Sequence, residues 1–248
     1  MTKGRIRVGI GGWTYPPWRE TFYPDGLPQR QELDFASRQF GAIEINATFY
    51  GRQSPQSWEN WANAVPDGFE FAIKGSRYCV TRPKLADAGE GITTYFAQGM
   101  AALREKLGPV LWMLAARRKF DREDIAAFLK LLPLDIGGIP LRHVIEPRHE
   151  SFRDEAFFAL CRDHDVAIVF GDDDEFPCID ADTASFAYAR LQRMREEVLT
   201  GYDDDALDAF ATRARRWRKD GRDSYLFMIN GAKLRAPAAA LALQERLG

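Results

Sequence analysis

The feature that most constrains this chain is a repeat of short, apolar, β-rich segments alternating with stretches of helical periodicity. Eight such segments can be read, at 6–10, 42–46, 69–74, 110–114, 143–146, 166–170, 185–191 and 224–230. Most of the intervals carry a helix pattern. Ser54-Pro55 opens one as N-cap and first-turn proline, Trp58, Trp61, Ala62 and Val65 follow at helical spacing, and Pro66 stops it. Further helices are predicted over 29–40, 90–107, 121–132, 153–164 and 203–219, with a last one starting at Pro237. Phe96, Met100, Leu103 and Leu107 fall on one face of the 90–107 segment, and Leu207, Phe210, Ala214 and Trp217 on one face of 203–219. Strands separated by helices pair in parallel. No linker divides the chain, so residues 1–248 read as one α/β domain, most simply a (β/α)8, TIM-barrel-like fold. A doubly wound sheet is the rival, but Gly9-Ile10-Gly11-Gly12 lacks the G-x-G-x-x-G phosphate loop.

Composition bounds the function classes. With 46% hydrophobic and 28% charged residues and a net charge of -2, the chain suits a soluble globule. Bulk charge implies neither nucleic acid nor an anionic membrane. No apolar run approaches the roughly 20 residues that span a bilayer. Residues 1–5 are read as leading straight into a strand, without the apolar core of a signal peptide. Cys79, Cys161 and Cys178 form no CxxC and are expected to be free thiols, which suits a reducing cytoplasm. Three histidines, none at metal-ligand spacing, give no His-rich metal site, and no cofactor is expected; an all-carboxylate divalent site stays open. Oligomeric state is not readable.

The chemistry lies at the strand ends. Side chains alternate along a strand, so Glu44 and Asn46 share a face opposite Ile43 and Ile45. With the isoleucines packed against helices, Glu44 and Asn46 point into the protein. The same reading places Lys74, Glu146 with Arg148, Asp172, Arg190 with Gln192, and Asn230 at or just past the C-terminal strand ends, where barrels carry their active sites. Glu44 or Glu146 is a candidate general base, and Lys74 an acid or electrostatic stabiliser. Arg148 and Arg190 suit the planar grip of a carboxylate or phosphate. Trp13, Tyr15 and Tyr50 are candidate pocket walls, the first two in or beside an aromatic, proline-rich loop (14–28) of the length that often forms a lid or mouth. His149 is a candidate binding residue or an ordinary hydrogen-bonding one. The same charges, three acids with three bases, also describe a structural salt-bridge network. The arginines at 213, 215, 216 and 218 fall largely opposite the apolar face of their helix and complement its dipole, so nucleic acid is an improbable partner.

The motifs Gly12-Trp13-Thr14-Tyr15 with Trp18, Phe22-Tyr23-Pro24, residues 44–50, Lys74-Gly75-Ser76-Arg77-Tyr78, residues 146–152 and Asp172 together resemble the DUF72 or YecE-like family. The resemblance spans nearly the whole chain and implies a TIM-barrel-like fold; it implies no particular reaction. The chain departs from the family pattern in several places. The usual Thr-His after Ser-Arg-Tyr is Val80-Thr81, and Gln-Leu-Pro-Pro is Met113-Leu114-Ala115-Ala116. Arg-Leu-His-Gly is Arg190-Leu191-Gln192-Arg193, the paired asparagines are Ile229-Asn230, and a later asparagine is Ala239. Two histidines able to move protons are thus absent. The leading functional expectation is acid–base catalysis on a small polar or anionic, sugar-like metabolite. Non-catalytic binding in the same pocket is the alternative, and a metal-dependent nuclease-like barrel rests on fold analogy alone.

Overall fold

The structure, a computed structural model, describes residues 4–248; Met1–Lys3, part of the segment read as lacking a signal sequence, lie outside them. The strands are β1 (Ile6–Gly11), β2 (Ala42–Ile45), β3 (Glu70–Lys74), β4 (Leu107–Met113), a hairpin of β5 (Asp135–Ile136) and β6 (Ile139–Pro140), then β7 (His143–Glu146), β8 (Ala167–Ile168), β9 (Phe170–Asp172), β10 (Phe186–Leu191) and β11 (Asp223–Met228). Apart from the hairpin they form one parallel sheet in the order β8-β7-β4-β3-β2-β1-β11-β10-β9. β8 and β9 are two halves of a single extended stretch. β8 pairs with β7, β9 pairs with β10, and Val169 between them donates its N–H to the Ile145 carbonyl at 2.9 Å. The chain itself therefore closes the ring, and eight strand positions surround one interior, the (β/α)8 arrangement the sequence predicts.

Helices α1 (Glu32–Gln39), α2 (Ala47–Tyr50), α3 (Pro55–Ala64), α4 (Arg77–Val80), α5 (Gly89–Phe96), α6 (Arg122–Leu131), α7 (Glu155–Asp163) and α8 (Asp204–Lys219) lie between the strands, and α9 (Ala236–Leu247) follows the last one. Their starts follow local chemistry. Ser54 caps α3 by accepting from Ser57 N–H, Asp121 caps α6 by accepting from Glu123 and Asp124 N–H, and Asp203 caps α8 by accepting from Ala206 N–H. Among the described residues no helix is long and apolar enough to cross a membrane.

The predicted helix over 90–107 is not continuous. α5 stops at Phe96, Gly99 takes φ +106°, and a 3-10 segment over Met100–Lys106 delivers the chain to β4 at Leu107, three residues before the strand read from sequence. The break has a steric cause. A Cβ at Gly99 would lie 3.1 Å from the Pro55 backbone and 3.3 Å from Trp58, and only glycine occupies that backbone region readily. Phe96, Met100, Leu103 and Leu107 are buried all the same, because a helical and a 3-10 turn both turn their apolar side inward.

Alternation divides the apolar residues between two cores. The outer core, between sheet and helices, takes Ile43, Ile45, Ile73, Trp112, Ile145 and Leu191. The barrel interior takes Ala42, Ala72, Leu111, Val144, Ala167, Tyr188, Tyr225 and Phe227. Small residues on β2, β3 and β8 face large ones on β10 and β11, as interdigitated barrel layers require. Gly9 in β1 is part of that fit, since a Cβ there would sit 3.2 Å from the Phe227 ring and far closer to the Ala42 carbonyl. Below this layer, at the N-terminal end of the barrel, Glu70 accepts from Tyr225 Oη at 2.5 Å and pairs with Arg7 and Arg142, and Asp223 lies 3.5 Å from both arginines. That end is sealed by a compensated charge cluster. The other end, where β2, β3, β7 and β10 finish, holds the second polar layer.

Candidate functional site

Register brings the upper polar layer together. Glu44 lies beside Gly11 of β1 and Ala72 of β3, and Arg190 lies beside Phe227 of β11 and Gly171 of β9, with both side chains turned into the barrel. Arg190 Nε and Nη2 each lie 3.1 Å from one oxygen of Glu44, a two-pronged contact, and Nη1 donates to Glu146 Oε2 at 2.6 Å. Tyr188 Oη donates to Glu44 Oε2 at 2.7 Å. Arg148 binds the other oxygen of Glu146 at 3.1 Å through Nη2, its guanidinium stacked 4.3 Å over the Phe176 ring. Glu44, Glu146 and Arg190 are at most 4% exposed. Each charge in this chain of four, Arg148–Glu146–Arg190–Glu44, is met by an opposite one. Burial pushes the Glu146 carboxyl up, but Arg190, Arg148 and Lys74 together pull it below the usual carboxylate range, so Glu146 stays ionised. Burial also drives the Tyr188 phenol up, reinforced by the Glu44 charge, so it remains a donor at neutral pH.

Lys74 stands apart. It is 7% exposed, yet among the described residues its ammonium has no carboxylate within 4.0 Å and no hydrogen-bond acceptor; Nζ lies over the Phe49 ring, 4.6 Å from its centroid. The backbone beneath it is held rigidly, because Thr48 Oγ1 and Tyr95 Oη both donate to the Lys74 carbonyl, at 2.7 and 3.1 Å. Burial, then the Arg190 charge, lowers its pKa from an ordinary 10.5 to about 8 against the opposing pull of Glu44 and Glu146. The four neighbouring charges cancel, so a proton on Lys74 is the surplus charge of the layer.

Above this layer opens a cavity of about 470 Å³, lined by Lys74 and Arg190 below, Trp13, Thr14, Asn46, Tyr50 and Trp61 on one side, and Ile229, Asn230 and Lys233 on the other. Gly11 forms part of its floor; a Cβ there would strike Ile229 at 2.6 Å. A wider groove of about 800 Å³ lies over residues 81–86, the loop before α6 and the first turns of α6, but three of its cations, Lys84, Arg117 and Lys119, are exposed. Its acid Asp124 is already engaged by Arg118 and by the Leu85 and Ala86 N–H groups. The smaller cavity is the candidate site because a buried charged group forms its floor.

The residues singled out from sequence distribute unevenly. Lys74, Arg190, Trp13, Asn46, Tyr50 and Asn230 line the cavity. Glu44 and Glu146 lie beneath it, inside the ion-pair chain. Tyr15 is one step back, its ring 4.9 Å from Lys233 Nζ. Gln192 accepts from Asn230 Nδ2 at 2.9 Å and so orients that wall. Asn230 holds φ +59°, a left-handed conformation that asparagine tolerates better than most residues. His149 is turned away: its Nδ1 accepts from Ser151 N–H and caps a 3-10 turn. Asp172 does not join the layer. It pairs in register with Leu191, whose side chain packs in the outer core, and its oxygens take Tyr202 Oη at 2.8 Å and Arg193 Nε at 2.7 Å. The arginine at 193, where the family pattern has glycine, therefore supplies the counter-charge of Asp172. Lys233 escaped the sequence reading, and Trp61 and Phe49, read there as part of a helix face and of the 44–50 motif, were not assigned to the site. Lys233 sits three residues past Asn230, and rim position was its one available signal.

In this site Lys74 is the group that titrates, and its burial opposes folding. Its folded pKa is depressed, so the unfolded chain binds the proton more tightly. The penalty, on the order of 3 kcal/mol, is full below about pH 8, fades as pH rises and is gone above about 10.5. Lys74→Met is expected to raise stability to urea at pH 7 and to lose that advantage by pH 10.5; a variant less stable than the parent at pH 7 contradicts this. Arg190→Met, which strands two buried carboxylates, is expected to cost about 3–5 kcal/mol in the same assay, and a loss under about 1 kcal/mol would show the ion-pair chain to be dispensable.

Comparison with known proteins agrees with the geometry. The chain matches the family described as protein of unknown function DUF72 over residues 7–248. It is 29% identical over 158 residues to the UPF0759 protein YunF of Bacillus subtilis, a match that covers 62% of this chain and 54% of that relative, so the chain aligns with about half of the relative's length. A DUF72 family protein from Thermotoga maritima superposes with a TM-score of 0.76 at 21% identity, covering 97% of each chain. A second, from Enterococcus faecalis, gives 0.75 at 18% identity over 98% of this chain and 95% of that one. A xylose isomerase-like TIM barrel/4-hydroxyphenylpyruvate dioxygenase fusion protein shares the fold at a TM-score of 0.52 and 16% identity, with all of this chain covering 43% of that one. The chain belongs to the DUF72 family.

Proposed function

We propose that this protein is an enzyme acting by acid–base chemistry on a small, anionic and polar metabolite, sugar-like in its hydroxyls, bound in the cavity at the C-terminal rim of the barrel. The observation that carries the reading is the unpartnered Lys74 amine on the cavity floor. Lys233 adds a second cation to the wall, its pKa lowered by burial and its ammonium 4.9 Å from the Tyr15 ring and 5.6 Å from that of Trp18. The floor carboxylates are spent on Arg190, Arg148 and Tyr188, so the cavity offers an anion two cations without a competing free acid. Asn46, Asn230 and Thr14 add hydrogen-bonding groups for hydroxyls, and Trp13 and Trp61, 5.4 Å apart edge to face, form an apolar wall.

The division of labour follows from access. Lys74 reaches the cavity and exchanges protons near neutral pH, which suits a general acid or base. Glu44 and Glu146 act through Arg190, holding a fixed electrostatic floor. Lys233 and Asn230 position the ligand. The three free cysteines, two of them buried, favour a cytoplasmic location. One observation favours the alternative of binding without turnover: Gln192, which has no proton to exchange, stands where the family pattern has histidine and is tied to Asn230.

Thermal-shift screening separates these readings. Phosphorylated and carboxylated metabolites are expected to raise the melting temperature, neutral analogues to do so less, and Lys74→Met or Lys233→Met to weaken the effect. Product analysis on each hit should then show conversion that Lys74→Met abolishes. Stabilisation without conversion supports binding alone, and no preference for anions contradicts the assigned ligand class.

A further inference from the structure

Resting on the reading that the cavity binds a small anion, we infer that Lys74 is a covalent nucleophile whose partner is a carbonyl compound, an anionic aldehyde or ketone that it captures as a Schiff base. Three features of the site lead there. The first is the absence of competition. Every buried carboxylate oxygen of the floor is already hydrogen-bonded, and no acceptor among the described residues holds the Lys74 nitrogen, so its lone pair, once deprotonated, is free to attack.

The second is placement. A nucleophile has to be held against the cavity and away from bulk water. Lys74 is buried and lines the cavity, its carbonyl is pinned by Thr48 and Tyr95, and its ammonium lies over the Phe49 ring. The third is electrostatic. Burial, joined by the Arg190 and Arg148 charges below the amine, outweighs the opposing pull of Glu44 and Glu146, so the neutral fraction is enlarged at a pH where an exposed lysine is almost wholly protonated. Acid–base work alone does not require an amine; a carbonyl-capturing site does.

The step balances without a co-reactant. The neutral nitrogen attacks the carbonyl carbon and forms the C–N bond while the C=O π pair moves to oxygen. The proton released from nitrogen passes to that oxygen and gives a carbinolamine. A second proton makes the oxygen leave as water while the nitrogen lone pair forms C=N, giving a protonated imine. Overall, one ammonium and one carbonyl give one iminium and one water. Lys233 and the amides of Asn46 and Asn230 on the walls supply the donors for the substrate's anionic group and for the developing alkoxide.

The test uses the full chain with glyoxylate, a small anionic aldehyde, and sodium cyanoborohydride, which fixes any imine as a secondary amine, followed by peptide mass mapping. At pH 7 Lys74 is expected to be carboxymethylated at least about tenfold faster than the exposed lysines, given a neutral fraction roughly 200-fold larger. Inorganic phosphate should slow the reaction, and acetaldehyde, which lacks the charge, should react less selectively. Lys74→Arg should remove the adduct while leaving the circular dichroism spectrum unchanged. Modification of Lys74 no faster than the surface lysines, or labelling that goes to Lys233 instead, overturns the inference. Phosphate protection measured by thermal shift on the same sample keeps the two readings distinct. Protection without labelling sinks the Schiff base and leaves the anion site standing, whereas the loss of both sinks the site as well.

Discussion

Arg190 is the hinge on which the upper half of this barrel turns. Its guanidinium sits at the barrel axis, 1% exposed, bridging a glutamate from β2 and a glutamate from β7 that lie 102 residues apart in the chain. Neither carboxylate is tolerable there alone, since an uncompensated buried charge consumes several kcal/mol of a stability that totals about 5–15. Together with Arg148 and Tyr188 they form a set in which every carboxylate oxygen accepts a hydrogen bond and each charge meets an opposite one. The N-terminal end of the barrel repeats the solution with Glu70, Arg7, Arg142 and Asp223. The two polar layers differ in one respect. The lower one balances its charges, whereas the upper one carries Lys74 as an additional cation.

That surplus turns a structural layer into a chemical one. A balanced network would explain buried glutamates and arginines on grounds of register and specificity alone. It does not explain a lysine whose backbone is fixed by two hydroxyl donors and whose amine is offered to a cavity without a counter-ion. Folding is opposed by that arrangement, and sites that oppose folding are where function is ordinarily kept. The aromatic loop after β1 completes the enclosure: Trp18 is buried and donates its Nε1–H to the Lys233 carbonyl at 2.9 Å, which couples the mouth loop to the 3-10 turn after β11.

Much of this was legible in the chain, and the limits have physical reasons. Eight strands and their parallel order followed from alternation and helix spacing, because burial on one face leaves a period-2 trace. The ion-pair chain was foreshadowed by Glu44, Glu146 and Arg190 falling on inward positions, and a salt-bridge network among them was one of the two readings, though sequence could not decide between it and a ligand pocket. Asp172 shows the weakness of that reading. It lies at a strand end, but β8 and β9 break at Val169, and the register places it on the helix-facing side next to Leu191. A residue's face cannot be counted through a strand whose start is unknown. The kink at Gly99 was hidden for a related reason, since an α-helix and a 3-10 turn bury the same apolar residues.

The central claim is that Lys74 lies above a self-neutralised floor with no counter-ion of its own. The most direct measurement is the titration of its ε-carbon and ε-nitrogen chemical shifts by NMR on lysine-labelled protein, assigned by comparison with Lys74→Arg. A midpoint near pH 8, well apart from those of the surface lysines, is expected. A midpoint at or above about 10.4, the ordinary lysine value, would mean that the ammonium is paired or solvated after all, and would contradict that claim.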